Sequence, residues 1–238
     1  MRTLAPAFGD MTAALQARLD EGPGLVRLEA GVFRCSGVRI PAGVVLAGEG
    51  PATMLQRGDG EAIIAQQDTG DWAVRDLLLD GRAEGEWSER ADVGHHGIVI
   101  TGGWGYEMTG VVVRNVAGAG VRIARTRLFT DDAPFCNGGN LDRLTVSGCH
   151  VGLCFDTRGE YLNATALSAY HNVTGVVIHA GNVKLSASNI CTNVDGIYIE
   201  DHANGSHGAI GNCLINHNLR HALWCRNVRH GMTVQNCG

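Results

Sequence analysis

The feature that most constrains the fold of this chain is a motif that returns about every 22 residues. In each copy an Asn is followed by two residues, usually a Gly, and then an apolar–x–apolar strand. Asn begins the copies at 115, 172, 193 and 218, Cys149 begins a further copy, and the successive spacings are 34, 23, 21 and 25 residues. Repeats of this length predict a solenoid in which each copy forms one turn.

The content of the repeat selects one kind of solenoid. Leucine-rich repeats need an L-x-x-L-x-L pattern, which is missing from the sequence. Each copy instead holds two or three short alternating segments, such as "LTVSGC" (144–149) and "GLCFD" (152–156), as in a parallel β-helix. Asn and Gly tolerate the left-handed backbone of tight turns, and stacked Asn side chains can form a hydrogen-bonded ladder. With turns about 4.8 Å apart, about nine of them make a rod about 45 Å long.

The chain divides into a short lead-in and one long solenoid. We predict an N-terminal capping helix with its lead-in over 1–26, with the helix at 9–22 and Asp10 as its cap, and the β-helix over 27–238. Insertions at 80–96 and 124–139 interrupt the repeats, and insertions in solenoids often form the binding face. Tolerated surface loops are the alternative. The candidate binding residues are Trp87, Arg90, Arg125, Phe129, Asp131 and Asp132, with Tyr198 on an outward strand position.

Charge and apolar patterning restrict the partners and the location. The net charge is −5 and basic residues form no block, so the sequence predicts no nucleic-acid partner. No apolar run approaches the length of a membrane span, and the N-terminus lacks the apolar core of a signal peptide. We therefore expect no membrane contact and synthesis in a bacterial cytoplasm. The eight cysteines are expected as reduced, mostly buried thiols, and disulfides formed after release from the cell are the alternative.

The N-terminal block resembles a known family. Residues 12–55, and above all "LEAGVFRCSGVRIP" at 28–41 with Phe33 at an aromatic place, look like the opening of pectate-lyase-like β-helix proteins. The resemblance implies an all-β, right-handed parallel β-helix whose open end is covered by a helix. That family includes lyases, hydrolases, epimerases and phage tailspikes, so the resemblance is specific for a fold and not for a reaction.

The best candidate for catalysis is a row of polar residues on three successive turns. Alternation along the strands points Asp156, His179 and Glu200 outward in one row, with Tyr198 in the row beside it. Asp156 and Glu200 lie two turns apart, about 9 to 10 Å, and inverting glycosidases hold their carboxyls about 6.5 to 9.5 Å apart. A solvated carboxylate–imidazolium ladder is the alternative. The same alternation predicts Leu223 beside Tyr198 and Cys225 beside Glu200 in the last turn.

A second candidate is Asp195. Asn193, Asp195 and Gly196 resemble the N-T-D-G motif of polygalacturonases, which implies a catalytic Asp. That family has an Asp pair on the next turn, where this chain has Arg220-His221, and its Gly-His-Gly motif is matched only by His207, about half a turn away. In the repeat alignment, the place of Asp195 is also filled by unrelated residue types: Ala117, Val151, Thr174 and Arg220.

The sequence predicts no cofactor and no metal site. The in-register carboxylate cluster that pectate lyases use for Ca²⁺ is missing from the pattern. Cys213, His217, His221 and Cys225 recur every four residues with zinc-ligand chemistry, but the repeat places them on strands and a turn, where they scatter.

These observations favour a non-enzymatic role. The sequence stops at Gly238 inside a turn, where an open end of the coil is expected. Either the sequence is part of a longer polypeptide, or another subunit or a larger assembly is expected to cover that end. By analogy with the phage members of the family that the chain resembles, we predict a virion protein, structural or receptor-binding, that forms a homotrimer, contacts other virion proteins and binds surface polysaccharide. The alternatives are a polysaccharide hydrolase or lyase and a non-catalytic carbohydrate-binding β-helix.

Overall fold

The computed structural model describes residues 2–124, 136–202 and 205–238. Within these residues the chain forms 25 strands and one α-helix, and each strand pairs in parallel with the strand one turn away. The strands wind into a right-handed β-solenoid of about nine turns. The predicted all-β, parallel β-helix is therefore confirmed.

The strands stack into three sheets, numbered here in chain order. The seven-stranded sheet contains β5 (Ala62–Gln67), β7 (His96–Thr101), β11 (Ala119–Ala124), β15 (Val151–Phe155), β19 (Thr174–Ile178), β22 (Asp195–Glu200) and β24 (His221–Arg226). The three-stranded sheet contains β8 (Gly103–Trp104), β12 (Cys136–Asn137) and β16 (Gly159–Glu160). The fifteen-stranded sheet contains β1 (Arg2–Leu4), β2 (Gly24–Leu28), β3 (Gly31–Cys35), β4 (Val44–Arg57), β6 (Ala73–Asp80), β9 (Glu107–Thr109), β10 (Val112–Arg114), β13 (Asn140–Asp142), β14 (Thr145–Ser147), β17 (Asn163–Thr165), β18 (Ser168–Tyr170), β20 (Val183–Ser186), β21 (Asn189–Cys191), β23 (Gly208–Gly211) and β25 (Met232–Gln235).

The core lies inside the coil and is built from stacked aliphatic side chains. Parallel, in-register strands place the same strand position one above the other, so Leu153, Val176 and Ile197 form a buried row. Each fully buried side chain of this size contributes about 1.5 to 3 kcal/mol of burial free energy. Phe33, which carries the resemblance of the N-terminal block, is also fully buried.

An Asn ladder runs along one corner of the coil. The backbone N–H and Nδ2 of Asn172 both donate to Oδ1 of Asn193, and those of Asn193 both donate to Oδ1 of Asn218, all at 3.0 Å. Asn115 was predicted to belong to this ladder, and that prediction is wrong. Its N–H donates to the Ser147 carbonyl, which places it one residue earlier in the turn, where its φ of 52° is left-handed.

The recurring Gly of the motif is needed for space. A Cβ on Gly175 would lie 2.7 Å from the carbonyl oxygen of Gly196, and one on Gly196 would lie 2.3 Å from that of Ala222. Neither residue has a left-handed φ. The left-handed residue of the turn instead precedes the ladder Asn, as at His171 (φ 55°) and His217 (φ 53°).

Ala222 takes the glycine place in the last copy, which corrects the predicted register there. One additional residue separates Asn218 from the strand, so Asp195 pairs with His221 and not with Arg220. The outward partners of Tyr198 and Glu200 are therefore Trp224 and Arg226; Leu223 and Cys225 were predicted wrongly. In the first copy, the place of Asp195 is held by Ala119, which pairs with Val151, and not by Ala117.

The helix α1 is shorter than predicted. It covers Thr12–Leu19, and Leu15 and Leu19 are fully buried against the core. Asp10 is not its N-cap residue, although its Oδ1 accepts a hydrogen bond of 2.7 Å from the Thr12 N–H. The lead-in also contains β1, which pairs with β2. That α1 caps the coil stays a prediction.

The two insertions begin at different ends of the strands of the seven-stranded sheet. Residues 81–95 join β6 to β7 and contain one 3₁₀ turn, Trp87–Glu89. Their backbone bonds to the corner before β11, with the Ala83 N–H on the Asn115 carbonyl and the Val93 N–H on that of Ala117. The second insertion leaves from the other end of β11, after Ala124. Among the described residues, no helix is long and apolar enough to cross a lipid bilayer.

Candidate functional site

The outward side of the seven-stranded sheet, here called the outer face, carries the candidate site. Register places one outward side chain from each strand in a row that changes from small and apolar to aromatic: Ala65, Val99, Arg122, Cys154, Val177, Tyr198 and Trp224. A groove of about 630 Å³ lies at the small end, with Ala65, Val99 and Arg122 in its lining.

Two rings form an aromatic platform at the other end of this row. The centroids of Tyr198 and Trp224 lie 4.8 Å apart at an interplanar angle of 39°, and Trp224 is 39% exposed. The rim is charged: the Tyr198 hydroxyl donates to Glu200, whose Oε1 is 3.5 Å from Nε of Arg226. Burial and the Glu200 carboxylate raise the pKa of Tyr198, so its hydroxyl stays protonated at neutral pH.

Beside the platform, three residues form an Asp–His–His cluster. Asp156 and His179 directly follow β15 and β19 in the same row, and His202 comes from the turn after β22. The Nδ1 atoms of His179 and His202 lie 3.5 and 3.6 Å from Oδ1 of Asp156, and the two imidazole rings stack with centroids 3.8 Å apart. Asp156 and His179 are mostly buried, whereas the His202 side chain is 39% exposed.

Asp156 is held as a carboxylate. Burial disfavours its charge, but the adjacent His179 imidazole, a bond from the Thr157 N–H and the charge of Arg122 outweigh that effect and set its pKa well below the usual range. Oδ1 accepts from the Thr157 N–H at 2.7 Å, and Oδ2 accepts from Nη2 of Arg122 at 3.3 Å. The carboxylate is therefore both charged and fixed in orientation.

Glu200 lies in the row as predicted, but its side chain makes other contacts. It accepts from the Tyr198 hydroxyl and from Nδ2 of Asn227 at 3.4 Å. The bond from Tyr198 is the main cause that lowers the pKa of Glu200. A glycosidase needs one carboxyl with a raised pKa as its general acid. The pKa of Asp156 and that of Glu200 are both lowered, so neither carboxyl shows the raised pKa of such an acid. Their role as a catalytic pair stays a prediction.

Asp195 lies at the opposite end of β22 from Glu200, about 16 Å away along the strand. Its side chain is only 5% exposed, and it accepts bonds from Arg220 and from Nδ1 of His221 at 2.8 Å. The Arg220 bonds are the main cause that lowers the pKa of Asp195. The structure therefore joins it to the next turn and not to the row of Asp156.

The two predicted binding residues of the first insertion, Trp87 and Arg90, do not reach the outer face. The Trp87 ring packs 5.2 Å from that of His171 at the corner of the coil. Arg90 is 9% exposed, and its Nη2 donates to the carbonyls of Ala83 and Gly85, so it holds its own loop together. Arg125, Phe129, Asp131 and Asp132 lie outside the described residues. Of the predicted binding residues that the structure describes, only Tyr198 is on the outer face.

Two residues of the site were missed from the sequence. The register error gave Trp224 an inward position. The signal for the correct register was Ala222, because it is the residue in this segment that is small enough for the row of glycines. His202 lies beyond the strand, where alternation no longer assigns a direction.

The Asp–His–His cluster supplies two imidazoles and one carboxylate, which can hold a metal ion. The sequence had predicted no metal site. His221, from the predicted Cys/His stripe, instead bonds to Asp195.

Comparisons with known proteins identify similar folds. No model of a protein family matches the chain, and no curated protein matches it. The A-module of mannuronan C-5 epimerase AlgE4 from Azotobacter vinelandii matches with a TM-score of 0.66 and 20% identity over 96% of this chain and 73% of that chain. The tailspike gp49 of Acinetobacter baumannii bacteriophage Fri1, a capsular polysaccharide depolymerase, matches with a TM-score of 0.65 and 14% identity over 100% of this chain and 48% of that chain. A polygalacturonase from Erwinia carotovora ssp. carotovora matches with a TM-score of 0.52 and 15% identity over 99% and 92% of the two chains.

The similarity to these structures, together with the stacked parallel turns, defines the fold class of the chain. The chain has the right-handed parallel β-helix fold of pectate-lyase-like proteins. At identities of 20% or below the likeness concerns the fold.

Proposed function

We propose that the chain binds a polysaccharide across the outer face of the seven-stranded sheet. The observation that carries the proposal is the aromatic platform of Tyr198 and Trp224, which is exposed and bordered by the Glu200–Arg226 ion pair. An aromatic face packs against the apolar C–H face of a sugar ring. Charged and hydroxyl groups at the rim bond to the ring hydroxyls, and a few convergent polar groups are what fix a ligand's orientation.

Two further observations favour a glycan over other linear ligands. The formal charge of −5 opposes a nucleic acid, whose binding depends on neutralising its phosphates. The three similar structures named above are, by their names, a mannuronan epimerase, a capsular polysaccharide depolymerase and a polygalacturonase. The row from Ala65 to Trp224 spans seven strands, about 29 Å, which suits a chain of several sugars.

We further propose that the protein belongs to a phage particle, as a structural or receptor-binding component in contact with other virion proteins. It is made in the bacterial cytoplasm, and α1 covers the first turn of the coil. The fold likeness to a tailspike supports this setting. Light scattering of the purified protein tests the expected homotrimer, and a monomer at all concentrations contradicts it.

A glycan array tests the binding proposal, followed by calorimetry with the best glycan. Trp224→Ala is expected to weaken binding at least about 10-fold, because loss of an aromatic contact that is buried by the ligand costs 2 kcal/mol or more. Trp104→Ala is the matched control, since Trp104 is 51% exposed but lies on β8 in a different sheet. No binding to any glycan, or equal losses in the two variants, contradicts the proposal.

The second candidate function is cleavage of the bound polysaccharide, as a hydrolase or lyase. The observation in its favour is Nδ1 of His179 lying 3.5 Å from the Asp156 carboxylate, because an imidazole oriented by a carboxylate is the usual arrangement of a general base. Depolymerisation of an array-positive glycan would be followed by size-exclusion chromatography. Activity that persists unchanged in Asp156→Asn, His179→Ala and Glu200→Gln contradicts a role for this row.

A further inference from the structure

We propose that Asp156, His179 and His202 form a binding site for one zinc-like divalent transition-metal ion on the rim of the outer face. The three side chains each present one ligand atom, and these atoms lie within 4.8 Å of one another. Two imidazoles and one carboxylate with a fourth, open position make up the ligand set of many catalytic zinc sites. The site adjoins the aromatic platform, since the His179 ring lies edge-on to that of Tyr198 with centroids 5.6 Å apart. No ligand atom comes from the platform, and metal binding is measured without a glycan, so the inference does not depend on polysaccharide binding.

The spacing of the ligand atoms fits tetrahedral coordination. Metal–ligand bonds of about 2.1 Å place the corners of a tetrahedron about 3.4 Å apart, and those of an octahedron about 3.0 Å apart. The two Nδ1···Oδ1 distances are 3.5 and 3.6 Å. They are too long for direct hydrogen bonds and close to the tetrahedral edge, and the two imidazoles and one carboxylate are ligand types that Zn²⁺ accepts.

The fold holds the ligands in place before any ion arrives. The backbone N–H of Asp156 bonds to Ile123 and that of His179 bonds to Phe155, so both ligands continue the strand ladder. The turn that carries His202 is anchored by Asp201, whose Oδ1 and Oδ2 accept from the backbone N–H groups of Ser206 and Arg229, both at 2.6 Å.

The surroundings of the ligands also suit a metal. Outer hydrogen bonds orient ligating carboxylates, and Asp156 has them from Thr157 and Arg122. Nδ1 of His179 is the ring nitrogen that faces Asp156. Its buried Nε2 has no hydrogen-bond partner among the described residues and would carry the proton in a metal-bound imidazole. His202, at 39% exposure, leaves the open side of the site accessible to solvent.

Calorimetric titration tests the site with Zn²⁺ on the full chain, after treatment with EDTA and dialysis. We expect one Zn²⁺ per chain and a rise in Tm on binding, since a ligand that binds only the folded state stabilises it. Co²⁺ is expected to give the visible absorption of a tetrahedral centre. Ca²⁺ is expected not to bind, because it prefers sites made of oxygen ligands.

Variants then assign the binding to the cluster. His202→Ala and Asp156→Asn are each expected to weaken Zn²⁺ binding at least about 10-fold, because even loss of a second-shell partner costs that much. His217→Ala is the control: His217 is an exposed histidine in the turn before β24, at the opposite end of the strands from the cluster. The Tm of each variant in EDTA shows whether it is folded.

Three results overturn the inference. The first is no Zn²⁺ binding by the wild-type chain. The second is equal affinity in the wild type and in both folded cluster variants. The third is binding that disappears when the accessible thiols are blocked, because Cys225 is exposed and a thiolate is a strong zinc ligand. Glycan binding is not a readout in this test, so its failure leaves the polysaccharide proposal unchanged.

Discussion

Asp195 lies in a stretch that resembles a catalytic motif, but its contacts in the structure join two turns of the coil. It occupies one place in a recurring turn, where the neighbouring copies have Thr174 and His221. Its carboxylate is buried and joins its own turn to the next through Arg220 and His221. A carboxylate with these contacts has few free lone pairs left for substrate.

This role predicts a pH-dependent effect of Asp195→Asn on stability. We expect a loss of about 1 to 3 kcal/mol at pH 7, the contribution of hydrogen bonds to a charged group. The folded state lowers the pKa of Asp195, so the stabilisation is complete above the unfolded pKa of about 3.9 and disappears as the pH falls through the lower folded value. Urea unfolding of both proteins at pH 7 and below pH 3 measures the difference, which should shrink in acid.

Asp59→Asn is the control for this measurement. Asp59 pairs with Arg34 at 2.8 Å, but its side chain is 95% exposed, and exposed pairs contribute little. We expect its unfolding free energy to match that of the wild type at both pH values. An equal effect of the two substitutions, or a difference that does not change with pH, contradicts the assignment of Asp195 as a buried link between turns.

At the scale of the elements, the turn that precedes each strand of the seven-stranded sheet is the unit that repeats. It combines a left-handed residue, the ladder Asn and a glycine packed against the next turn. The Asn satisfies backbone groups of two turns, and the glycine lets the turns approach. These two requirements explain why the Asn and the Gly recur from turn to turn while the residues between the Asn and the Gly vary.

Gly175→Ala tests the requirement for space. The added Cβ would lie 2.7 Å from a backbone oxygen, and overpacking of this kind costs about 1 to 3 kcal/mol. We expect the Tm to fall by about 5 °C in a chain of this size. Gly231→Ala is the control, since no atom lies within 4 Å of its added Cβ. Equal Tm values for the two variants in differential scanning calorimetry contradict the close-packing account.

The sequence predicts the elements of this fold better than it predicts the site. Strand alternation correctly placed Asp156 and His179 together, because both residues directly follow strands in equivalent turns. Trp224 was misplaced because one additional residue shifts the register, and a shift of one reverses inward and outward positions along a strand. His202 could not be placed, since the contacts of Asp201 with Ser206 and Arg229 set the path of its turn, and they leave no periodic pattern.

At the scale of the whole molecule, the three sheets give the coil three different surfaces. The outer face of the seven-stranded sheet carries the groove, the aromatic platform and the Asp–His–His cluster along one continuous row of turns. The binding loop predicted at 80–96 instead packs at the corner, away from this row. The rigid strands, and not that loop, therefore present the candidate site.

The central claim is that a polysaccharide lies across this outer face. A crystal structure of the chain with an oligosaccharide from the glycan array tests it most directly. We predict a sugar ring stacked on Trp224 or Tyr198, with its hydroxyls bonded to Glu200 or Arg226. An oligosaccharide bound only on the fifteen-stranded or the three-stranded sheet, with Tyr198 and Trp224 untouched, would contradict the account.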